Sequence, residues 1–360
     1  MKLIFNTPIN DLSFGNVGLN ILREFYKQQD KVVIFPIGDP NFSAYDKIDK
    51  DFAKWINNSI KYRFHNLNKD YPTLTLWHLN GSEKFIGKNN TLFTFHELDD
   101  LTFSEKKVSE FQDNVLLSNP ESVSIFKENG LNNVKQLNIG FDPDFHVIDK
   151  EIVKGKVHFT LSGKFEKRKH TKEIIKSWLK KFGNNNRYML SCCITNPFLK
   201  EEQQKQLLAS ILDNKHYSNI NFIPRLKTNS EVNHFLNSSH IDLTGLSGGE
   251  GWNLPAFNAT CLGKWSIVCN HSGHKAWATK DNSILIEPDE KEDVYDGLFF
   301  SKGSNWNQGS IYKFNEDKAV SAMEKAVSMH GNINKNGLKT AERFTYEKTV
   351  KRIKEIIKNG

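Results

Sequence analysis

The sequence predicts two consecutive α/β domains, each a parallel sheet with helices on both faces. Three observations carry this. Short apolar runs alternate with segments whose apolar residues recur at helical spacing. The alternation pauses once, near Phe141–Glu151, where Asp142-Pro143-Asp144 has turn chemistry and Lys154-Gly155-Lys156 follows, and then restarts. A chain of 360 residues is also more than one ordinary core holds, so two domains of about 150–200 residues each are expected.

Taken in order, Lys2–Phe5 is the first predicted strand. Val17–Gln28 carries Val17, Ile21, Leu22 and Phe25 on one face and is a predicted helix. Lys31–Pro36, Leu74–His78, Thr91–Phe95 and Asn114–Ser118 are predicted strands, and Ser122–Asn129 is a predicted helix closed by Gly130. Beyond the pause, strands are predicted at Val157–Ser162, Tyr188–Ile194, Ile220–Ile223, Ile241–Thr244 and Trp265–Cys269. Helices are predicted at Thr171–Phe182, Glu201–Asp213, Ser230–Ser238 and Leu254–Leu262. Tyr346–Lys358 places Val350, Ile353, Ile356 and Ile357 on one face and lysines on the other, an amphipathic terminal helix. The expected domains are residues 1–148 and 149–340, with 341–360 packing back toward the first. Both are Rossmann-like, with a cleft between them and ligands beyond the carboxyl ends of the strands.

Composition narrows the function classes. The chain's 26 Phe and 7 Trp exclude a disordered polymer. No apolar run approaches the roughly 20 residues that span a bilayer, and the start lacks the features of a signal peptide, so a cytoplasmic protein without stable membrane insertion is expected. Cys192, Cys193, Cys261 and Cys269 form no Cys-x-x-Cys pair and no disulfide framework. The net charge of +7 permits a nucleotide, nucleic acid or lipid headgroup as partner and specifies none.

Two loops carry chemistry. Ser247-Gly248-Gly249-Glu250-Gly251-Trp252-Asn253-Leu254-Pro255 follows a strand and opens a helix, so its glycines allow close approach and its helix start offers N–H groups to an anion or a sugar hydroxyl. Glu250 can accept hydrogen bonds from hydroxyls. Gly163-Lys164-Phe165-Glu166-Lys167-Arg168-Lys169-His170 also lies between strand and helix, and its cations suit a phosphate. Either loop could instead be a solvated turn.

Together these segments resemble the glycosyltransferases of the two-Rossmann-domain (GT-B) type, in particular family 4. Gly163–His170 with the following Thr171–Trp178 resembles that family's Gly-Arg/Lys…Lys-Gly loop and helix, and Ser247–Ala259 resembles its Ser-x-x-Glu-Gly-Phe/Trp-Gly-Leu-Pro-x-x-Glu-Ala signature. Cys261–Val268, Leu117–Leu131, Asn138–Phe145 and Ser13–Gly18 resemble further family segments in the expected order. The resemblance implies a nucleotide-sugar donor on the second domain, an acceptor on the first, retention of anomeric configuration and no metal. It implies that Glu250 contacts donor-sugar hydroxyls and that Gly251, Trp252, Asn253 and Leu254 line the sugar and diphosphate pocket. Lys164 and Lys169 match the basic positions on the diphosphate, with Arg168 flanking. His96 matches a His that faces the reacting sugar, and Gly15 lies in the first glycine loop. Asn258 stands where the family carries a second Glu on the donor ribose, so this chain departs from the pattern there.

Other features are weighed lower. His78 could line the acceptor side, although a packing role is favoured. Asp142-Pro143-Asp144 is read as a turn, His271-Ser272-Gly273-His274 as only superficially like a metal pair, and the basic aromatic stretch Trp55–Phe64 as an amphipathic helix rather than a membrane or nucleic-acid surface. The acceptor is left open among saccharide, lipid, protein and modified DNA. A transferase acting on a hydroxylated base and a non-catalytic nucleotide- or sugar-binding protein are the alternatives.

Overall fold

The computed structural model describes residues 1–148 and 153–359. The first part runs β1 (Lys2–Thr7), α1 (Ser13–Lys27), β2 (Lys31–Pro36), α2 (Lys50–Lys61), α3 (Arg63–Asn66), β3 (Pro72–Leu76), β4 (Lys88–Thr94), α4 (Phe103–Glu110), β5 (Asn114–Leu117), α5 (Pro120–Glu128) and β6 (Val134–Gln136). The second runs β7 (Val157–Ser162), α6 (Thr171–Phe182), β8 (Tyr188–Cys193), α7 (Glu201–Ile211), β9 (Ile220–Phe222), α8 (Asn229–Asn237), β10 (Ile241–Asp242), α9 (Leu254–Cys261), β11 (Trp265–Cys269) and β12 (Ile284–Ile286). A hairpin of β13 (Lys291–Asp293) and β14 (Ser310–Tyr312) follows, then α10 (Glu316–Met329), α11 (Lys335–Arg343) and α12 (Tyr346–Asn359). The end of the expected linker, residues 149–151, lies outside the described residues.

The first six strands form one parallel sheet in the order β2-β1-β3-β4-β5-β6, and the next six form another, β12-β11-β10-β7-β8-β9. Two α/β domains built on parallel sheets are therefore present. Local chemistry starts several helices: Asp49 Oδ1 accepts from Phe52 N–H at 2.8 Å, and Thr102 with Glu105 closes a capping box. In α5, Asn119 caps and Pro120 takes the first turn. Trp55–Phe64 divides into α2 and α3. Phe52 and Ile56 of α2 enter the core, whereas Phe64 stays 68% exposed.

The second sheet has its own core, with Trp178, Phe159, Leu190 and Ile267. The first domain's core is shared. It joins Phe5, Leu22 and Phe25 to Phe257 of α9 and to Tyr346, Val350, Ile353, Ile356 and Ile357 of α12. Asp142 and Asp144 act as turn residues: Asn16 donates to Asp142 at 2.8 Å, and Arg23 and Asn229 hold Asp144 at 2.9 Å. Cys192, Cys261 and Cys269 are buried free thiols. Among the described residues no helix is long and apolar enough to cross a membrane.

Candidate active site

In each sheet the strand order reverses its direction of growth at one point, and a crevice opens there beyond the strand ends. In the second sheet that point lies between β7 and β10. Gly163–His170 leaves β7 and Ser247–Asn253 follows β10, so topology alone brings the two chemistry loops together.

Arg168 is the hub. Its guanidinium reaches Glu97 and Glu166 at 3.1 Å each, Glu250 at 3.3 Å, and the Gly249 carbonyl at 2.8 Å. A planar fork of donors is the group that can serve several acceptors at once. Burial disfavours its charge, but the three carboxylates outweigh this and raise its pKa. Lys169 completes the cluster by donating to the other Glu250 oxygen. Burial alone would raise the Glu250 carboxyl, and Lys169 and Arg168 more than offset it, holding the group at about 2. Lys164 pairs with Glu166 at 2.7 Å, its ammonium lying over the rings of Phe198 and Phe299. His170 adopts a left-handed φ of 50°, a conformation glycine reaches more easily. Its ring reaches Glu292 at 3.1 Å.

The glycine loop is docked on the first domain. A Cβ on Gly251 would lie 2.5 Å from Phe95 Cβ, and one on Gly249 would lie 2.7 Å from the Glu97 carbonyl. These glycines therefore allow close approach of another part of the chain. The Gly251 carbonyl accepts from Ser118 Oγ at 2.5 Å and Asn119 Nδ2 at 3.0 Å.

The structure thus brings Glu250, Gly251, Arg168, Lys169 and Lys164 together. His96 is not brought to this cluster. Phe95 and Glu97 face the glycine loop, and the intervening His96 turns toward Phe126, with ring centroids 5.1 Å apart. Its Nδ1 is buried without a hydrogen-bond partner. Gly15 is packed against Asn10 instead: a Cβ there would meet Asn10 Oδ1 at 2.3 Å. Trp252 is buried edge-on against Phe257 and Phe344. Leu254 packs on the same core. Asn253, at a φ of 67°, caps α9 and donates to the Thr244 carbonyl at 3.0 Å, so it anchors the loop. Asn258 is 7% exposed and its Oδ1 has no hydrogen-bond partner. His271 bonds Ser272 Oγ and the Ser247 carbonyl, and His274 bonds the Cys269 carbonyl and Asn253.

Sequence reasoning missed Glu97 and Glu166 as partners of Arg168. Glu166 stands inside the basic loop and Glu97 directly follows His96, so both were visible as carboxylates beside positions already singled out. His78, for which a packing role was favoured, is exposed and packs its ring 4.4 Å from that of Phe14.

No family model matches the sequence, and no curated protein matches it. Solved structures do match over the full length. Sucrose-phosphate synthase from Thermosynechococcus elongatus superposes with a TM-score of 0.68 at 11% identity, covering 100% of this chain and 98% of that one. HepE of Anabaena, in complex with UDP and glucose, gives 0.65 at 12% identity and 100% coverage of both. OtsA in its apo form gives 0.67 at 9% identity, covering 99% of each. The fold is GT-B. The Arg168–Glu250 cluster accordingly stands in the GT-B cleft, where the second domain's crevice meets the first domain's β4 end.

Proposed function

We propose that this chain is a glycosyltransferase that moves a sugar from a nucleotide-sugar donor to an acceptor bound on its first domain. The observation that carries the reading is Glu250, held as a carboxylate by Lys169 and Arg168 at the crevice of the second sheet. HepE, which shares the fold, has been solved with UDP-glucose, and this supports a nucleotide sugar as donor here.

In this reading Glu250 accepts hydrogen bonds from donor-sugar hydroxyls while Gly251 lines the sugar pocket. Lys164 and Lys169 exchange their carboxylate partners for the donor diphosphate and neutralise charge as the nucleoside diphosphate leaves. The same cations and the helix end take the place of a metal. The acceptor oxygen forms the new bond to the anomeric carbon as the sugar–phosphate bond breaks, and the acceptor proton passes to the departing phosphate. Family 4 membership, retention and action in the cytoplasm complete the proposal. The unpartnered Oδ1 of Asn258 supports contact with a donor hydroxyl through a neutral acceptor. His96, with its unpartnered Nδ1, takes part only if its ring leaves Phe126. Asn258 also favours a second reading, a nucleotide- or sugar-binding protein without turnover.

Thermal-shift titration against nucleotide sugars and nucleoside diphosphates tests this directly. A concentration-dependent rise in melting temperature with one donor, reduced in Glu250→Ala, and its transfer or hydrolysis by the wild type are expected. Binding without turnover selects the second reading, and no response across a broad panel rejects both.

A further inference from the structure

The first sheet has a switch point of its own, between β1 and β3. The segments beyond those two strands carry aromatic rings. Phe14, in the first turn of α1, lies 5.8 Å from the ring of Trp77, 4.4 Å from that of His78 and 4.7 Å from that of Phe95. Trp77 and His78 follow β3 directly, with their rings 5.1 Å apart. Phe14 and Trp77 are only partly buried and His78 is exposed. This tier rests on the glycine loop through the contact of Phe95 with Gly251. Across from it stand Lys164 and Arg168. The packing of Phe14 and Trp77 on its ring and these two positive charges push the His78 imidazole below its ordinary value, so it is neutral at physiological pH.

Charge decides what the tier can take. The cations around the cleft already have carboxylate partners: Lys164 with Glu166, Arg168 with Glu97, Lys169 with Glu250, Arg225 with Asp11, and Lys291 with Asp99. A donor diphosphate would claim Lys164 and Lys169. An anionic acceptor, such as a nucleic acid or an acidic lipid headgroup, would have to displace one of the remaining carboxylates, whereas the tier itself presents aromatic faces. A neutral ring with an apolar C–H face and a hydroxyl edge fits both the aromatic surface and the uncharged imidazole.

We infer that the acceptor is a neutral saccharide whose ring stacks on the Phe14–Trp77–His78 tier while a hydroxyl hydrogen-bonds His78. The inference rests on the glycosyltransferase reading for the word acceptor, but the binding site can be tested without it. Wild type is titrated with maltose, lactose, cellobiose and chitobiose, with and without UDP, ADP or GDP, and saturation-transfer NMR reads binding. Phosphatidylglycerol vesicles and an oligonucleotide containing 5-hydroxymethylcytosine are the anionic probes.

Saturable binding of a neutral sugar is expected, insensitive to salt and weakened about tenfold in Trp77→Ala and in His78→Ala. Cooperative melting of each variant shows that it is folded. Binding of anionic probes alone, falling with salt, overturns the inference, as does sugar binding untouched by both substitutions. So does the absence of sugar binding in a protein that binds a nucleoside diphosphate, and the glycosyltransferase reading then survives. Sugar binding without any nucleotide response keeps the site and removes that reading.

Discussion

Glu250 shows what a single buried carboxylate contributes here. Its folded pKa of about 2 lies below the ordinary value of 4.5, so the ionised form stabilises the fold above about pH 4.5 and that contribution fades as pH falls toward 2. Glu250→Gln should therefore destabilise the protein at pH 7, by about 3 kcal/mol at most. The gap from wild type should close as denaturation is followed from pH 4.5 down to 2, and a constant gap would contradict the assignment. At this scale the sequence was informative wherever partners share a loop: Lys169, Arg168 and Glu250 all lie in motifs that follow strands. It was uninformative about side-chain direction. Both His78 and His96 follow strand ends of the same sheet, and only packing decides that one faces Lys164 while the other faces Phe126. The ion pair of Glu97 with Arg168 joins two domains, so no local pattern could announce it.

Among the elements, β7 carries an unusual load. His158 bridges its neighbours, with Nε2 2.8 Å from Ser191 Oγ on β8 and Nδ1 2.7 Å from the Ser238 carbonyl. Burial comes first among the causes that push it down to about 4. The neutral ring is favoured in the fold, so the contribution is whole above the ordinary 6.5 and is lost as pH falls toward 4. Urea denaturation should show stability declining across that window, with His158 supplying about 2 kcal/mol of the loss at pH 5. In His158→Gln the slope should be shallower, and an unchanged slope would exclude the residue. The ranges of β7, α6 and β11 were legible in full because strong periodicity and clear breakers coincide there. Helix α10 was not, since its buried face consists of Ala319, Ala322, Met323 and Ala326, small residues that give a weak pattern. The three-residue strands β6, β13 and β14 exist through pairing with partners distant in sequence, which periodicity does not record.

For the whole molecule, the decisive contact is the glycine loop seated on β4. Around it Lys275 meets Glu121 at 2.8 Å and Asn307 N–H donates to Glu105 at 2.8 Å, so the two domains are joined on several sides. Gly251→Val places side-chain atoms where Phe95 stands and should part the domains. Small-angle scattering should record a larger radius of gyration, and a scattering curve identical to wild type would show that Gly251 serves something else. The two-domain plan was legible from the single pause in the strand–helix alternation, but the docking was not, because it depends on surfaces formed only after each sheet closes. The shared core has a further consequence for how the protein is made. Val350, Ile353, Ile356 and Ile357 seal the sheet built from the earliest residues, and a ribosome delivers them only after the entire second domain. The first domain's core is therefore incomplete until α12 has been made, whereas the second domain's own core includes no residue of α12.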